Sequence, residues 1–255
     1  MAVSSPVVVS LKTLFSVLAV IMLALAVWGV GSDGLASCVD IRKKWVLVTI
    51  INYSINLGVI LAWIVYKESS WIRIAILIPS ALFAGSTITS AYIAMQLFLL
   101  SPQESSKDPL YFVLMKRQKE DAIMGYKRGP SILTTRVIIS ALGCLMLGTF
   151  VYVLIVDGSQ FHSQLFSACG IASWIDISFM IVTLSVWVAY KESSWISAFF
   201  WILSLVCFGS IGTCVYIVVQ LFYLSPQQPV SLVLFNSNNK DLLSNDPLLM
   251  AHTNA

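Results

Sequence analysis

The chain has 255 residues, of which 58% are hydrophobic and 11% charged, with a mean hydropathy of +0.87 and a net charge of +3. That balance excludes an ordinary soluble globular domain and points to the bilayer as solvent. Nucleic acid is not an expected partner: six of the fifteen basic residues crowd into one connection, Lys107 to Arg128, without a folded basic domain or aromatic interleaving, which is a topology signal instead.

In chain order, uncharged runs occur at Leu14 to Ser32, Trp45 to Tyr66, Ile74 to Leu100, Val137 to Val156, Ile177 to Tyr190 with an upstream extension, and Ile196 to Leu224. Nearly all reach the roughly 20 residues that carry a helix across about 30 Å of hydrocarbon. The apolar residues are continuous rather than alternating, so helices and not a barrel are expected. After an N-terminal tail over 1–11, the first run ends near the small residues Gly34, Ala36 and Ser37, as a secretory signal would. It is longer than a signal core and its counterpart lies mid-chain, so it reads as a retained span. The cysteines Cys38, Cys144, Cys169, Cys207 and Cys214 show no CxxC spacing, and neither a zinc site nor a disulfide framework is expected.

Sliding the chain by 124 residues aligns Lys12 to Gln103 with Arg136 to Gln227 without a gap. About a third of the aligned positions are identical, which makes duplication the dominant signal. The strongest block is Tyr-Lys-Glu-Ser-Ser-Trp at Tyr66 to Trp71, repeated at Tyr190 to Trp195. Asp33-Gly34 matches Asp157-Gly158, Trp63 matches Trp187, Gly85-Ser86 matches Gly209-Ser210, and Ser101-Pro102-Gln103 matches Ser225-Pro226-Gln227. The expected organisation is a repeat over 12–103, a basic cytoplasmic linker over 104–135, a second repeat over 136–227, and a mobile C-terminal tail over 228–255. These tandem units, with a glycine and a tyrosine in the following span, resemble a plant family of uncharacterised multi-pass membrane proteins, whose shorter bacterial relatives carry one unit. The resemblance spans Lys12 to Gln227 and implies an architecture without an activity.

The fold class expected is all-α and polytopic, two tandem three-span repeats (3+3) in inverted topology. Within each unit, Lys-Glu-Ser-Ser joins the second and third spans as a tight hairpin, with Ser69 or Ser70, and Ser193 or Ser194, able to cap the next helix. The 27 residues from Ile74 to Leu100 fall short of the roughly 40 needed for two crossings, so one long or tilted helix is expected, kinked near Pro79 or Gly85. A re-entrant hairpin breaking at Gly85 is the alternative. Three spans are odd, so the units would run in opposite directions. With the N-terminus outside, eleven basic residues fall inside against four outside; an eight-crossing plan with both termini inside gives twelve against three. In the linker, Asp108-Pro109 suits the start of a short surface helix or an anchored loop.

Within the spans, Thr89, Tyr92 and Gln96 share a helix face with Gly85, and Thr213, Tyr216 and Gln220 repeat it with Gly209. Such faces serve either close helix packing or a polar pathway. Asn52 and Asn56 stand one turn apart on the second span, and Asp176 occupies the position matching Asn52, the only acid well inside an apolar stretch. These nine residues are the candidate polar site. Lys67, Glu68, Lys191 and Glu192 are candidate gates at opposite faces, or solvated hairpin ends near headgroups.

No catalytic, cofactor-binding or metal site is expected. His162 and His252 both lie outside the spans, and neither a nucleophile with its base nor a phosphate-binding glycine loop is present. Two classes remain: a small-solute or ion transporter or channel, or a non-transporting scaffold or partner subunit whose polar faces only pack. The lipid bilayer is the implied partner, a second copy or another membrane protein being an open possibility. Plasma membrane and endomembranes are equally compatible.

Overall fold

The computed structural model describes residues 6–34, 44–115, 131–158, 167–225 and 230–235. Every regular element among them is helical. The first unit comprises α1 (Pro6–Asp33), α2 (Lys44–Lys67), α3 (Trp71–Ala84), α4 (Ser86–Phe98), α5 (Pro102–Lys107) and α6 (Pro109–Leu114). The second comprises α7 (Ile132–Asp157), α8 (Ala168–Lys191), α9 (Trp195–Phe208), α10 (Ser210–Phe222) and a 3-10 turn, Val230–Leu234. The basic stretch 116–130, Cys38, both histidines and the paired leucines of the tail lie outside the described residues. The first helix already begins at Pro6, so the tail expected over 1–11 is shorter.

Four helices, α1, α2, α7 and α8, are long and apolar enough to cross a membrane. The third apolar run of each unit is instead two half-length helices. Gly85 adopts φ 51°, ψ −128°, and Gly209 φ 55°, ψ −127°, a region that L side chains rarely adopt. The chain reverses there rather than bending slightly. The 14 residues of α3 carry it about 21 Å from the Lys-Glu-Ser-Ser turn. Yet the Tyr92 hydroxyl, seven residues past Gly85, donates to Glu68 Oε1 at 2.7 Å, back at the start of that excursion. Tyr216 repeats the contact with Glu192 at 3.0 Å. So the single long helix expected through Ile74 to Leu100 is replaced by the re-entrant alternative, broken at Gly85.

This break overturns the inverted plan. With the third run of each unit reversing at its glycine, each unit keeps two long apolar helices and both units run the same way through the molecule. Side-chain contacts agree: Tyr190, at the second Lys-Glu-Ser-Ser turn, donates to Asp108 beside α6, while Lys67, at the first turn, donates to carbonyls of α6 and its end. Both turns are therefore at one end, which α5, α6 and the 3-10 turn share. The other end carries Asp33, Lys44, Asp157 and Cys169, tied by a Lys44–Asp157 ion pair of 2.6 Å and a Cys169 N–H donation to Asp33 at 2.8 Å. Single cysteines at the exposed Ser69 and Ser193, without other reactive thiols, are expected to react with an impermeant reagent from the same side. Labelling from opposite sides would restore inversion.

The units interlock through their long helices. The first helix of each unit packs against its own re-entrant outward arm, α1 on α4 and α7 on α10, and against the other unit's second helix, α1 on α8 and α7 on α2. The central seam joins α2 and α8 through Leu57, Ile64, Met180 and Val188, all fully buried, with Tyr92 and Tyr216 in the same cluster. Among lipid chains such seams hold by close packing rather than by exclusion of water. Gly29 permits one close approach, its backbone meeting Ala172 and Cys169. Cys169 is disulfide-bonded, contrary to the expectation of no disulfide; Cys144, Cys207 and Cys214 are free.

Candidate functional site

A helix that begins inside the bilayer exposes backbone N–H groups that neither lipid nor its own turns can satisfy. Each re-entrant arm solves this with a side chain from the opposite unit. The Ser86 N–H, at the start of α4, donates to Asp176 Oδ1 on α8 at 2.8 Å. The Ser210 N–H, at the start of α10, donates to Asn52 Oδ1 on α2 at 2.7 Å. Asn52 and Asp176 are matched by the 124-residue shift, so duplication has produced a reciprocal pair of caps. One turn beyond, the Thr213 hydroxyl donates to Asn56 Oδ1 at 2.9 Å, while Asn56 Nδ2 is buried with no hydrogen-bond partner among the described residues. The Thr89 hydroxyl turns back to the carbonyl of Ser86.

The outer ends of the re-entrant arms are also matched to charge. Arg136 on α7 donates to the carbonyls of Leu221 and Leu224 at 2.7 and 3.0 Å and lies over the Phe222 ring. Its counterpart Lys12 lies over Phe98 at 5.1 Å. Cations at a helix C-terminus and acceptors at its N-terminus both complement the helix dipole.

At the turn end, the lysine and glutamate of each Lys-Glu-Ser-Ser unit do different work. Glu68, 9% exposed, holds Tyr92 with Gln96 beside it, and meets Arg73 at 3.5 Å. Glu192 accepts from Tyr216, from the Gln220 amide at 2.8 Å and from the Ser197 hydroxyl at 2.6 Å. Lys67 and Lys191, each 7% exposed, reach across to the short segments that follow each repeat. Lys67 donates to the carbonyls of Phe112, Val113 and Met115, and Lys191 to those of Leu232 and Phe235. The indole N–H groups of Trp63 and Trp187 add bonds to Leu114 and Leu234. Two clasps thus hold α6 and the 3-10 turn over the ends of α2 and α8, where Tyr111 meets Phe235 with ring centroids 5.4 Å apart.

Several expectations change. Lys67, Glu68, Lys191 and Glu192 are neither gates at opposite faces nor solvated ends: they lie at one end, and three of the four are buried. Residues 230–235, expected within a mobile tail, form an ordered turn with Leu232, Val233 and Phe235 buried. Asn52, Asn56 and Asp176 do not form one cluster, since Asp176 faces α4 while the asparagines face α10. The two polar faces on α4 and α10 do not pack mainly on each other, because each turns to the glutamate of its own unit and to the other unit's second helix. Ser70 and Ser194 occupy N-cap positions without a side-chain cap bond, whereas Asp108 does cap α6. Sequence reasoning missed the clasps. Their trace is the shared Pro-x-x-x-Val-Leu of Pro109 to Leu114 and Pro229 to Leu234, offset by 120 residues instead of 124.

A family model described as "Protein of unknown function (DUF1475)" matches twice, over residues 2–122 and 118–241. The chain belongs to the DUF1475 family. Two consecutive copies of DUF1475 coincide with the two structural units, and each match extends past the clasped segment of its unit. Comparison of this DUF1475 chain with curated proteins and with solved structures finds no match.

Proposed function

We propose that the protein is a small-solute or ion transporter or channel whose pathway runs between the two units. The observation that carries this reading is the pair of re-entrant helices starting inside the bilayer, each capped by the opposite unit. Non-helical backbone at that depth is tolerated where protein or a water-filled cavity satisfies it, and broken helices of this kind build solute sites in transporters. Contacts between units occur in three layers: Tyr190–Asp108 at the turn end, the Asn52, Asn56 and Asp176 caps within, and Lys44–Asp157 at the far end. Separating either outer layer would open the middle one to that side, and the buried Asn56 Nδ2 is a donor available to a solute or water there. Thr89, Tyr92, Gln96, Thr213, Tyr216 and Gln220 serve this reading by anchoring the re-entrant arms. The chemistry is not enzymatic.

In this reading the turn end faces the cytosol. By sequence order, three basic residues, Arg42, Lys43 and Lys44, belong to the far end and the other twelve of fifteen to the turn end, as the positive-inside rule requires of a cytosolic face. The disulfide at Cys169 agrees, because disulfides persist on the oxidising side of a membrane. Reconstitution of purified protein into liposomes, with uptake of labelled solutes and an internal pH dye, tests the function. Protein-dependent flux that Asn56→Leu abolishes is expected. Absence of flux across cations, anions and neutral solutes, with the helical fold intact, would leave the scaffold as the reading.

A further inference from the structure

The two caps differ by one ionisable group. Asn52 uses Oδ1 to accept from Ser210, and its Nδ2, an obligate donor, lies beside Gly209. Asp176 uses Oδ1 to accept from Ser86, and its Oδ2, the atom chemically equivalent to that Nδ2, likewise lies beside its glycine, Gly85. Ionised, a carboxylate is an acceptor at both oxygens; protonated, it reproduces the acceptor and donor pattern of an amide. Asp176 is 8% exposed and lies eight residues inside α8, about 12 Å along the helix. Among the described residues it has no ion-pair partner: the ion pairs present join Lys44 to Asp157 and Arg73 to Glu68. The titratable group facing it from α2 is Tyr53, whose hydroxyl approaches the same side of Gly85 and donates to the Ala81 carbonyl at 3.4 Å. From α4 it meets the uncharged Ser86, and the α1 acid Asp33 is held at the far end by Cys169.

The geometry points to Asp176 as a proton-binding site at the re-entrant break, its Oδ2 taking a proton from water in one state of the protein and returning it in another. The Oδ2–H bond forms as one O–H bond of a hydronium ion breaks and leaves water, and release to water is the reverse. The role as coupling ion rests on the transport reading above, but the binding does not. A helix N-terminus offsets a carboxylate charge partly, and the neutral amide in the other unit shows that capping itself needs no charge. A proton is the smallest change that makes the two units alike.

Difference infrared spectra of the purified protein across pH test this without any substrate. A carboxylic-acid carbonyl band that titrates in the wild type and disappears in Asp176→Asn is expected, with helicity and thermal stability of the variant retained because Asn52 already performs the same cap. Should that variant misfold, Asp176→Ser, which keeps a capping oxygen, gives the same comparison. No titrating band wherever the protein is folded, or a band unchanged in both variants, would overturn the proposal and leave a permanently ionised cap. Stability that rises with sodium in the wild type alone, without the band, would also overturn it in favour of a metal cation. A band without any flux would sink the transport reading and spare this one.

Discussion

Replacing Gly85 or Gly209 by alanine is expected to destabilise the protein by about 2–5 kcal/mol, combining a backbone conformation strained for L residues with a lost cap. A Cβ on Gly85 would fall within 2.9 Å of Asp176 Oδ1 and of the Tyr53 hydroxyl, and one on Gly209 within 2.7 Å of Asn52 Oδ1. The new methyl group therefore has no room unless the capping side chain leaves, and the N–H it satisfied is then orphaned away from water. The measurement is thermal unfolding in detergent, followed by tryptophan fluorescence and by circular dichroism. Near-normal stability of both alanine variants would mean that the arms join through an ordinary helical kink. Gly58, which meets nothing where its Cβ would stand, is the control, and Gly58→Ala is expected to change little.

The second large effect is expected at the clasps. Lys67→Met and Lys191→Met keep most of the apolar stem but remove the ammonium that serves two or three carbonyls at the end of α6 or the 3-10 turn. Hydrogen bonds from a charged donor contribute about 1.5–3 kcal/mol each, and the freed carbonyls lose a partner as well. Each variant is expected to lose about 2–4 kcal/mol of local stability at its own segment, since buried bonds lost from one network do not add fully. Hydrogen exchange at residues 111–115 and 232–235 reads this directly: Lys67→Met should accelerate exchange in the first segment and spare the second, and Lys191→Met the reverse. Equal exchange in both variants and the wild type would show that Trp63 and Trp187 hold the segments unaided.

Much of this arrangement was legible in the sequence. The duplication, the helical class and the hairpin at Lys-Glu-Ser-Ser follow directly from the 124-residue shift and the uncharged runs. The 27 apolar residues from Ile74 to Leu100 are too few for two full crossings and favour one long helix, with the re-entrant break at Gly85 as its alternative. That length rule applies to helices that must meet water at both ends. Here the inner end of α4 meets Asp176 and that of α3 meets the Tyr53 hydroxyl, so half the length suffices. The matched Gly85-Ser86 and Gly209-Ser210 marked the breaks. What single-position reading could not supply is reciprocity: Asn52 and Asp176 were aligned correctly, yet their partners lie on the opposite unit, 158 and 90 residues away in sequence respectively. The lysine clasps were hidden for a related reason, since a four-residue slip takes their acceptors out of the ungapped alignment.

The common direction of the two units bears on how such a chain can diverge. Two separate copies of a single unit, facing the same way, could associate about a two-fold axis along the membrane normal. Every residue would then appear twice, and the buried caps would be two amides or two acids. Joining the copies in one chain removes that obligation. A lone acid can be carried at Asp176 opposite an amide at Asn52, and the cost of burying ionisable charge is met once instead of twice. Fusion thus makes available a device that symmetric assembly forbids: one protonatable group in a frame that is otherwise paired.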